Sequence, residues 1–202
     1  MSTDPVIDPA TAGRKVLPED SICLYCGSSR GHDPRHAAEA EAIGAGIAER
    51  GWRLVYGAGD LGLMGIAARA AQARGGRVLG VIPRHLLELE VAKSDLDALV
   101  LTETMHERKK LMLGNAAAVV ALAGGIGTLD ELIEVLTWRQ LGLHDKPVLL
   151  VNAGGYWDPL LALFDHMEAS RFLGGGYRQG LTVVSGAAEA LELLSRLLPA
   201  AR

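Results

Sequence analysis

The residues best suited to chemistry are three glycines in four positions, Gly124, Gly125 and Gly127, followed by Thr128 and Glu131. They join a run of small and β-branched apolar residues, typical of a buried strand, to apolar residues that recur at helical spacing. Glycines let the main chain approach a ligand closely. The N–H groups at a helix start carry partial positive charge. The stretch therefore predicts a turn that binds an anion, most naturally a phosphate.

The same residues also permit an interpretation without a ligand. Thr128 and Glu131 have the Thr-x-x-Glu spacing of a capping box, in which the two side chains satisfy N–H groups at the helix start. Glycine-rich turns also occur simply because a helix packs close to a sheet. The turn alone leaves both interpretations open, and other parts of the chain must decide between them.

Two adjacent cations, Arg108 and Lys109, are the second candidate group. They fall in the first turns of a predicted helix that opens at Thr104, where the helix dipole disfavours positive charge and a bound anion would offset that cost. Arg108 is the stronger candidate because a guanidinium grips phosphate or carboxylate in a fixed, forked geometry. The alternative is a pair of solvated side chains beside Glu107.

The elements that would position these groups are strand-like runs alternating with amphipathic helices. This alternation predicts a single α/β domain: a Rossmann-like, doubly wound parallel sheet in a three-layer α/β/α sandwich. Residues 1–20 mix Pro, Asp, Thr and Gly without periodicity, which predicts a disordered tail before a domain spanning 21–202. The predicted strands cover residues 21–25, 53–56, 77–82, 98–101, 116–122, 148–152 and 181–184.

Three loops are expected to lie at the carboxyl ends of these strands, which is where open α/β sheets bind ligands. They are residues 26–31, 57–65 and 123–128. Asp33-Pro34 predicts the cap and first position of the helix after the first loop. The convergence of the three loops favours a ligand site over a purely structural turn.

Residues 57–62 form a literal Gly-x-Gly-x-x-Gly between a strand and a helix. A dinucleotide site also needs an acidic residue at the end of the next strand to bind the ribose. That strand instead ends at Pro83-Arg84, and the motif follows the second strand rather than the first. NAD is therefore the weaker interpretation, and no cofactor is predicted.

Composition narrows the class of protein further. The chain has 202 residues and a net charge of −4, which argues against binding of polymeric nucleic acid. No run is long enough to span a membrane and no secretory signal pattern is present, so we expect a cytoplasmic protein without a membrane partner. Cys23 and Cys26 fall on opposite faces of a predicted strand with no second zinc-type pair, so they are expected to be structural, with no metal.

The segment Met105-His106-Glu107-Arg108-Lys109, followed by Gly124 to Glu131 and Thr137-Trp138, resembles the Lonely Guy (LOG) family of cytokinin-activating enzymes. The family pattern is Met-His-x-Arg-Lys and then Pro-Gly-Gly-x-Gly-Thr-x-x-Glu. Supporting matches are Cys26 to Ser29, Tyr56 to Gly59, Leu63 to Gly65 and Gln140 to Pro147, so the resemblance covers residues 21 to about 170. Ala123 replaces the usual proline, which we expect to tune affinity and leave every proposed contact in place.

The resemblance implies a phosphoribohydrolase, a hydrolase of N-glycosyl bonds that needs no cofactor and assembles as a homodimer or larger homo-oligomer. Its substrates would be N6-prenylated adenosine 5′-monophosphates, split into free base and ribose 5-phosphate. Arg108 and Glu131 would be the catalytic pair. The substrate contacts carried over by position are Glu90, Lys109, Gly124, Gly125, Ile126, Gly127, Thr128 and Thr137.

The chemistry of the residues agrees with this implication. Cleavage builds positive charge on the ribose, so a carboxylate such as Glu131 beside the sugar stabilises the transition state and can orient or deprotonate the attacking water. Members of the family have also been labelled lysine decarboxylases, but nothing in the sequence suggests a pyridoxal phosphate site. Two alternatives stay open: a nucleosidase for plain AMP in salvage, and a nucleotide or cofactor carrier without catalysis.

Overall fold

The computed structural model describes residues 21–87, 93, 95–173 and 180–198. Strands and helices alternate along this part of the chain, as the sequence predicts, with short 3-10 turns at Arg84–Leu86 and Ala153–Gly155. The elements are β1 (Ser21–Tyr25), α1 (Pro34–Glu49), β2 (Arg53–Tyr56), α2 (Gly62–Ala73), β3 (Val78–Pro83), β4 (Ala98–Thr102), α3 (Met105–Gly114), β5 (Ala118–Ala121), α4 (Ile126–Gln140), β6 (Val148–Val151), α5 (Asp158–Ala169), β7 (Thr182–Val184) and α6 (Ala187–Leu197).

The described strands form one parallel sheet of seven strands in the order β4-β3-β2-β1-β5-β6-β7. The order reverses at β1, which pairs with β5 so that Tyr25 lies opposite Ala121. This confirms the doubly wound topology. Two loops leave the carboxyl ends of β1 and β5 in opposite directions here, and such a point is where open α/β sheets bind ligands.

Helices cover both faces of the sheet and confirm the three-layer sandwich. Ile43 of α1 and Leu191 of α6 belong to the core on one face, whereas Met112 of α3, Leu132 of α4 and Phe164 of α5 belong to the core on the other. The central strands β1, β2 and β5 are buried along their whole length, which explains why they are apolar apart from Ser21 and Arg53 at the starts of β1 and β2. Leu132 is fully buried and fixes α4 against the sheet.

Local signals near the helix starts are mostly confirmed. Asp33 caps α1 by accepting a hydrogen bond from the Arg35 amide at 2.9 Å, and Thr104 and Glu107 form the capping box of α3. Helix α2 differs from expectation, because it begins at Gly62 and includes Leu63 to Gly65. The reason is tertiary: the Leu63 amide donates to the Gly27 carbonyl oxygen at 3.0 Å, and the helix starts against that loop.

The two cysteines are free and buried, one in each core. Burial raises the pKa of both the Cys23 and the Cys26 thiol. The two side chains lie on opposite faces of the sheet, as the sequence predicts. Within the described ranges, no group of three or more His, Cys, Asp or Glu side chains is placed to hold a metal ion. Among the described helices, none combines the length and the apolar character that a bilayer span requires.

The predicted tail at residues 1–20 lies outside the described residues, as does a glycine-rich bend that the sequence predicts at residues 174–176. The domain boundary at residue 20 therefore stays a prediction.

Candidate active site

The three predicted loops meet at the carboxyl ends of β1, β2 and β5. The Gly27 amide donates to the Ala123 carbonyl oxygen at 3.0 Å, which links the loop after β1 to the loop after β5. Gly62 adopts a φ of +62°, and a Cβ there would lie 2.2 Å from the main-chain carbon of Ser28. Only glycine satisfies both conditions, so the loop before α2 is shaped to fit against the loop after β1.

The start of α4 lies three residues earlier than a capping box at Thr128 requires. The helix begins at Ile126, Gly125 is its N-cap, and no side chain caps it. Thr128 is 4% exposed and packs under Gly124, where a Cβ would lie 2.1 Å from the Thr128 hydroxyl oxygen. The capping-box interpretation is therefore wrong. The amides of Ile126, Gly127 and Thr128 stand at the helix end that favours an anion.

A cavity of about 280 Å³ opens beside Gly124 and Gly125. Its size suits part of a nucleotide, since pockets for whole small ligands start near roughly 300 Å³. Several lining side chains are polar. Two of them, His36 and Tyr156, could not be predicted from the sequence, because no local motif marks either one. The residues that complete the lining are Gly27, Ser28, Ser29, Arg30, Gly31, Leu63 and Ala123.

Arg108 is buried at 4% exposure in the first turn of α3. One guanidinium nitrogen, Nη2, donates to the Gly57 carbonyl oxygen at 3.0 Å. The side chain is therefore not solvated at the surface, which removes the alternative that the sequence left open for it. The hydrogen bond fixes a permanent positive charge beside the loop that follows β2.

Glu131 lies half-buried on α4, one turn after the glycines. Burial is the main reason that the pKa of the Cys23 thiol is raised; the Glu131 carboxylate raises it further and the Arg108 guanidinium lowers it. Glu131 also contributes to the raised pKa of Tyr25 and of Cys26, behind burial in each case. Both members of the predicted catalytic pair thus lie within electrostatic reach of Cys23 in β1.

Lys109 is tied to the neighbouring helix. Its ammonium nitrogen lies 3.0 Å from an Asp130 carboxylate oxygen and 3.1 Å from one of Glu134. Burial lowers the pKa of Lys109, but the two carboxylates outweigh it and the pKa is raised overall. In this structure the side chain joins α3 to α4.

Among the predicted site residues that the structure describes, Gly124 and Gly125 line the cavity and the others do not. The Thr137 hydroxyl donates to the Ile133 carbonyl oxygen of its own helix at 2.8 Å and is exposed. Ile126 is 83% exposed, which is high for an isoleucine. Glu90 lies outside the described residues.

Comparisons with known proteins agree with the motifs. The model of a family described as "possible lysine decarboxylase" matches residues 64–194. The chain is 43% identical over 176 residues to the probable cytokinin riboside 5′-monophosphate phosphoribohydrolase LOGL1 of Oryza sativa, covering 87% of this chain and 78% of the relative. It is 41% identical over 172 residues to the cytokinin riboside 5′-monophosphate phosphoribohydrolase of Mycobacterium marinum, covering 85% of this chain and 91% of that protein.

Solved structures share the fold. The molybdenum cofactor carrier protein of Chlamydomonas reinhardtii superposes with a TM-score of 0.66 at 23% identity, covering 88% of this chain and 97% of the other. The protein TM1055 gives a TM-score of 0.66 at 22% identity, covering 88% of this chain and 99% of that protein. At this identity the likeness concerns the fold alone. The relatives that match over most of their length, together with the family model, show that the chain belongs to the Lonely Guy family.

Proposed function

We propose that this protein hydrolyses the N-glycosidic bond of N6-prenylated adenosine 5′-monophosphates, releasing a free cytokinin base and ribose 5-phosphate. The names of its relatives support this activity. The structural observation that carries the proposal is the uncapped start of α4 beside Gly124 and Gly125, with Glu131 on the same helix and Arg108 bonded to Gly57 directly after β2.

The 5′-phosphate binds at the start of α4 in this proposal. Main-chain amides from Gly125 to Thr128 donate to its oxygens, and the helix dipole adds favourable charge. Gly125 has open space where a side chain would project, so a ligand can approach the main chain there. The ribose then lies over the first two turns of α4, and Glu131 is in the second of them.

In this proposal Glu131 acts in the cleavage of the N-glycosidic bond. As the bond between C1′ and the base nitrogen breaks, positive charge grows on C1′ and the ring oxygen, and a nearby carboxylate stabilises it. The carboxylate also orients the attacking water and accepts its proton as oxygen bonds to C1′. The departing base nitrogen takes a proton from solvent, and Glu131 returns the proton it accepted to solvent, so one water is consumed for each bond cleaved. Arg108 adds a fixed positive charge that favours binding of the anionic substrate.

Lys109 and Lys146 do not resemble the free amine that lysine decarboxylation through pyridoxal phosphate requires, because each is engaged by other groups of the chain. Lys109 is paired with two carboxylates of α4. The Lys146 ammonium donates to the Leu113 carbonyl oxygen at 2.7 Å and to that of Ala116. We therefore base the proposal on the phosphoribohydrolase relatives and not on the description attached to the family model.

We also propose a homodimer in the cytoplasm. Support for the dimer comes from apolar side chains of α4 and the following turn that remain exposed, Ile126 at 83%, Leu141 at 67% and Leu143 at 68%. A second copy covering Ile126 would lie next to the phosphate site. Free, buried thiols at Cys23 and Cys26 are consistent with a reducing compartment. Sedimentation of the wild-type protein and of Leu143→Glu tests the dimer, which the charge should weaken.

The activity is tested by incubating the protein with isopentenyladenosine 5′-monophosphate and with AMP side by side, and by separating the products. We expect free base and ribose 5-phosphate from both, with the higher kcat/KM for the prenylated nucleotide. A preference for AMP would identify a salvage nucleosidase instead. Tight nucleotide binding without any base released would indicate a carrier and contradict the proposal.

A further inference from the structure

Tyr156 makes a direct contact with the turn that is proposed to bind phosphate. Its hydroxyl donates a hydrogen bond to the Gly124 carbonyl oxygen at 2.6 Å, across 32 positions of sequence. Tyr156 follows the short 3-10 turn after β6 and lines the cavity beside Gly124 and Gly125. No part of the proposed chemistry uses this residue.

The position of the Tyr156 ring is fixed from both sides. The His36 ring meets it edge to face at a centroid distance of 5.0 Å, and the Trp157 ring does so at 4.9 Å. Trp157 is itself anchored, because it is 6% exposed and its amide donates to the Asn152 side-chain oxygen at 2.7 Å. The hydroxyl is therefore presented to Gly124 from a rigid support.

The hydrogen bond controls the orientation of a peptide unit. A trans peptide is planar, so its carbonyl and its N–H point in opposite directions. Holding the Gly124 carbonyl toward Tyr156 therefore aims the Gly125 amide away from Tyr156. The preceding carbonyl, of Ala123, is held in the same way by the Gly27 amide at 3.0 Å.

Such control matters because the peptide lies between two glycines, which rotate more freely than other residues. Ala123 does not restrict the turn as a proline would. A rotated peptide would present a carbonyl oxygen to a bound anion, and the two would repel each other. Because the Ala123 and Gly124 carbonyls are already hydrogen-bonded, the main-chain amides of the turn are the groups available to an anion.

We propose that Tyr156 is a positioning residue that holds the Gly124–Gly125 peptide in the orientation that binds the 5′-phosphate. This rests on the proposed function, since the anion is taken to be the phosphate of the substrate. Tyr156 then acts on phosphate affinity and not on bond cleavage.

The test compares Tyr156→Phe, which removes only the hydroxyl, with the matched variant Tyr56→Phe. The Tyr56 hydroxyl is buried and has no hydrogen-bond partner in the described part of the chain. For Tyr156→Phe we expect KM for the nucleotide to rise about five- to tenfold, the loss of one hydrogen bond, with kcat nearly unchanged. Tyr56→Phe should leave both constants close to wild type.

A binding measurement separates this inference from the proposed function. Titration calorimetry with ribose 5-phosphate should show weaker binding to Tyr156→Phe than to the wild type. Equal binding by the two proteins, or a fall in kcat with KM unchanged, would overturn the role of Tyr156 and leave the proposed function standing. Failure of the wild-type protein to bind ribose 5-phosphate would overturn the proposed phosphate site, and the role of Tyr156 with it.

Discussion

The guanidinium of Arg108 occupies the space that a side chain at Gly57 would need. Nη2 lies 3.0 Å from the Gly57 carbonyl oxygen, and a Cβ built on Gly57 would lie 1.9 Å from the same nitrogen. Glycine directly after β2 thus leaves the room that the Arg108 guanidinium occupies in this position. The Gly-x-Gly-x-x-Gly pattern has a physical reason here that does not involve a dinucleotide.

Gly57→Ala should therefore displace Arg108 without unfolding the protein. We expect kcat/KM for the nucleotide to fall about 100-fold, as for other displacements of about 1 Å in an active site. Circular dichroism should stay close to wild type. Gly114→Ala is the control, because a Cβ there meets nothing within 4 Å. Wild-type activity in Gly57→Ala would show that the position of Arg108 does not matter for catalysis.

Glu131→Gln tests the carboxylate directly. The amide keeps the size of the side chain but neither accepts a proton nor carries charge, so kcat should fall by about 10²- to 10⁴-fold. Asp130→Asn is the matched control, since it removes the preceding carboxylate of the same helix. Release of base is followed by chromatography. If both variants lost activity equally, the loss would result from removing negative charge from α4 in general and not from removing the Glu131 carboxylate in particular.

The adjacent glycines of the turn should respond differently to alanine. At Gly124 the new Cβ would lie 2.1 Å from the Thr128 hydroxyl oxygen, so we expect a loss of about 1–3 kcal/mol in the free energy of unfolding. At Gly125 the Cβ meets nothing within 4 Å, so stability should hold while the affinity for ribose 5-phosphate falls. Urea unfolding and calorimetry measure the two quantities. Unchanged affinity in Gly125→Ala would argue against a phosphate at this point.

The buried thiols should weaken the fold at alkaline pH. Burial raises the pKa of Cys23 and Cys26 above the ordinary value of 9.0, so the native protein keeps both protons while the unfolded chain releases them. The unfolded state then binds fewer protons, and stability falls as the pH rises above that value.

Each thiol should contribute a loss of about 1.4 kcal/mol between about pH 8 and about pH 10. Urea unfolding at the two pH values measures this loss in the free energy of unfolding. Between them, Cys23→Ala should lose about 1.4 kcal/mol less than the wild type. The same pH dependence in both proteins would mean that the Cys23 thiol titrates in the native state.

The fold was predictable from sequence because strand and helix periodicities are local properties. The bounds of β1 and β2 agree with the prediction at both ends. The start of α4 was not predictable in this way, since Thr128 packs under Gly124 and lies in the first turn of the helix. At this position a tertiary contact, and not the local capping pattern, determines where the helix begins.

The site was predictable only where its residues belong to one motif. Arg108 and Glu131 were found because they stand in characteristic segments, but the burial of Arg108 depends on Gly57, 51 positions away. Tyr156 was missed for a related reason. Its contact with Gly124 is formed by the pairing of β5 with β6, which places the turns after both strands side by side.

The most direct test of the central claim is a crystal structure of Glu131→Gln soaked with AMP, which the variant should bind without cleaving. We expect a phosphate within hydrogen-bonding distance of the amides at the start of α4, with the ribose C1′ next to the side chain of residue 131. A nucleotide bound elsewhere, or a ribose turned away from that side chain, would contradict it.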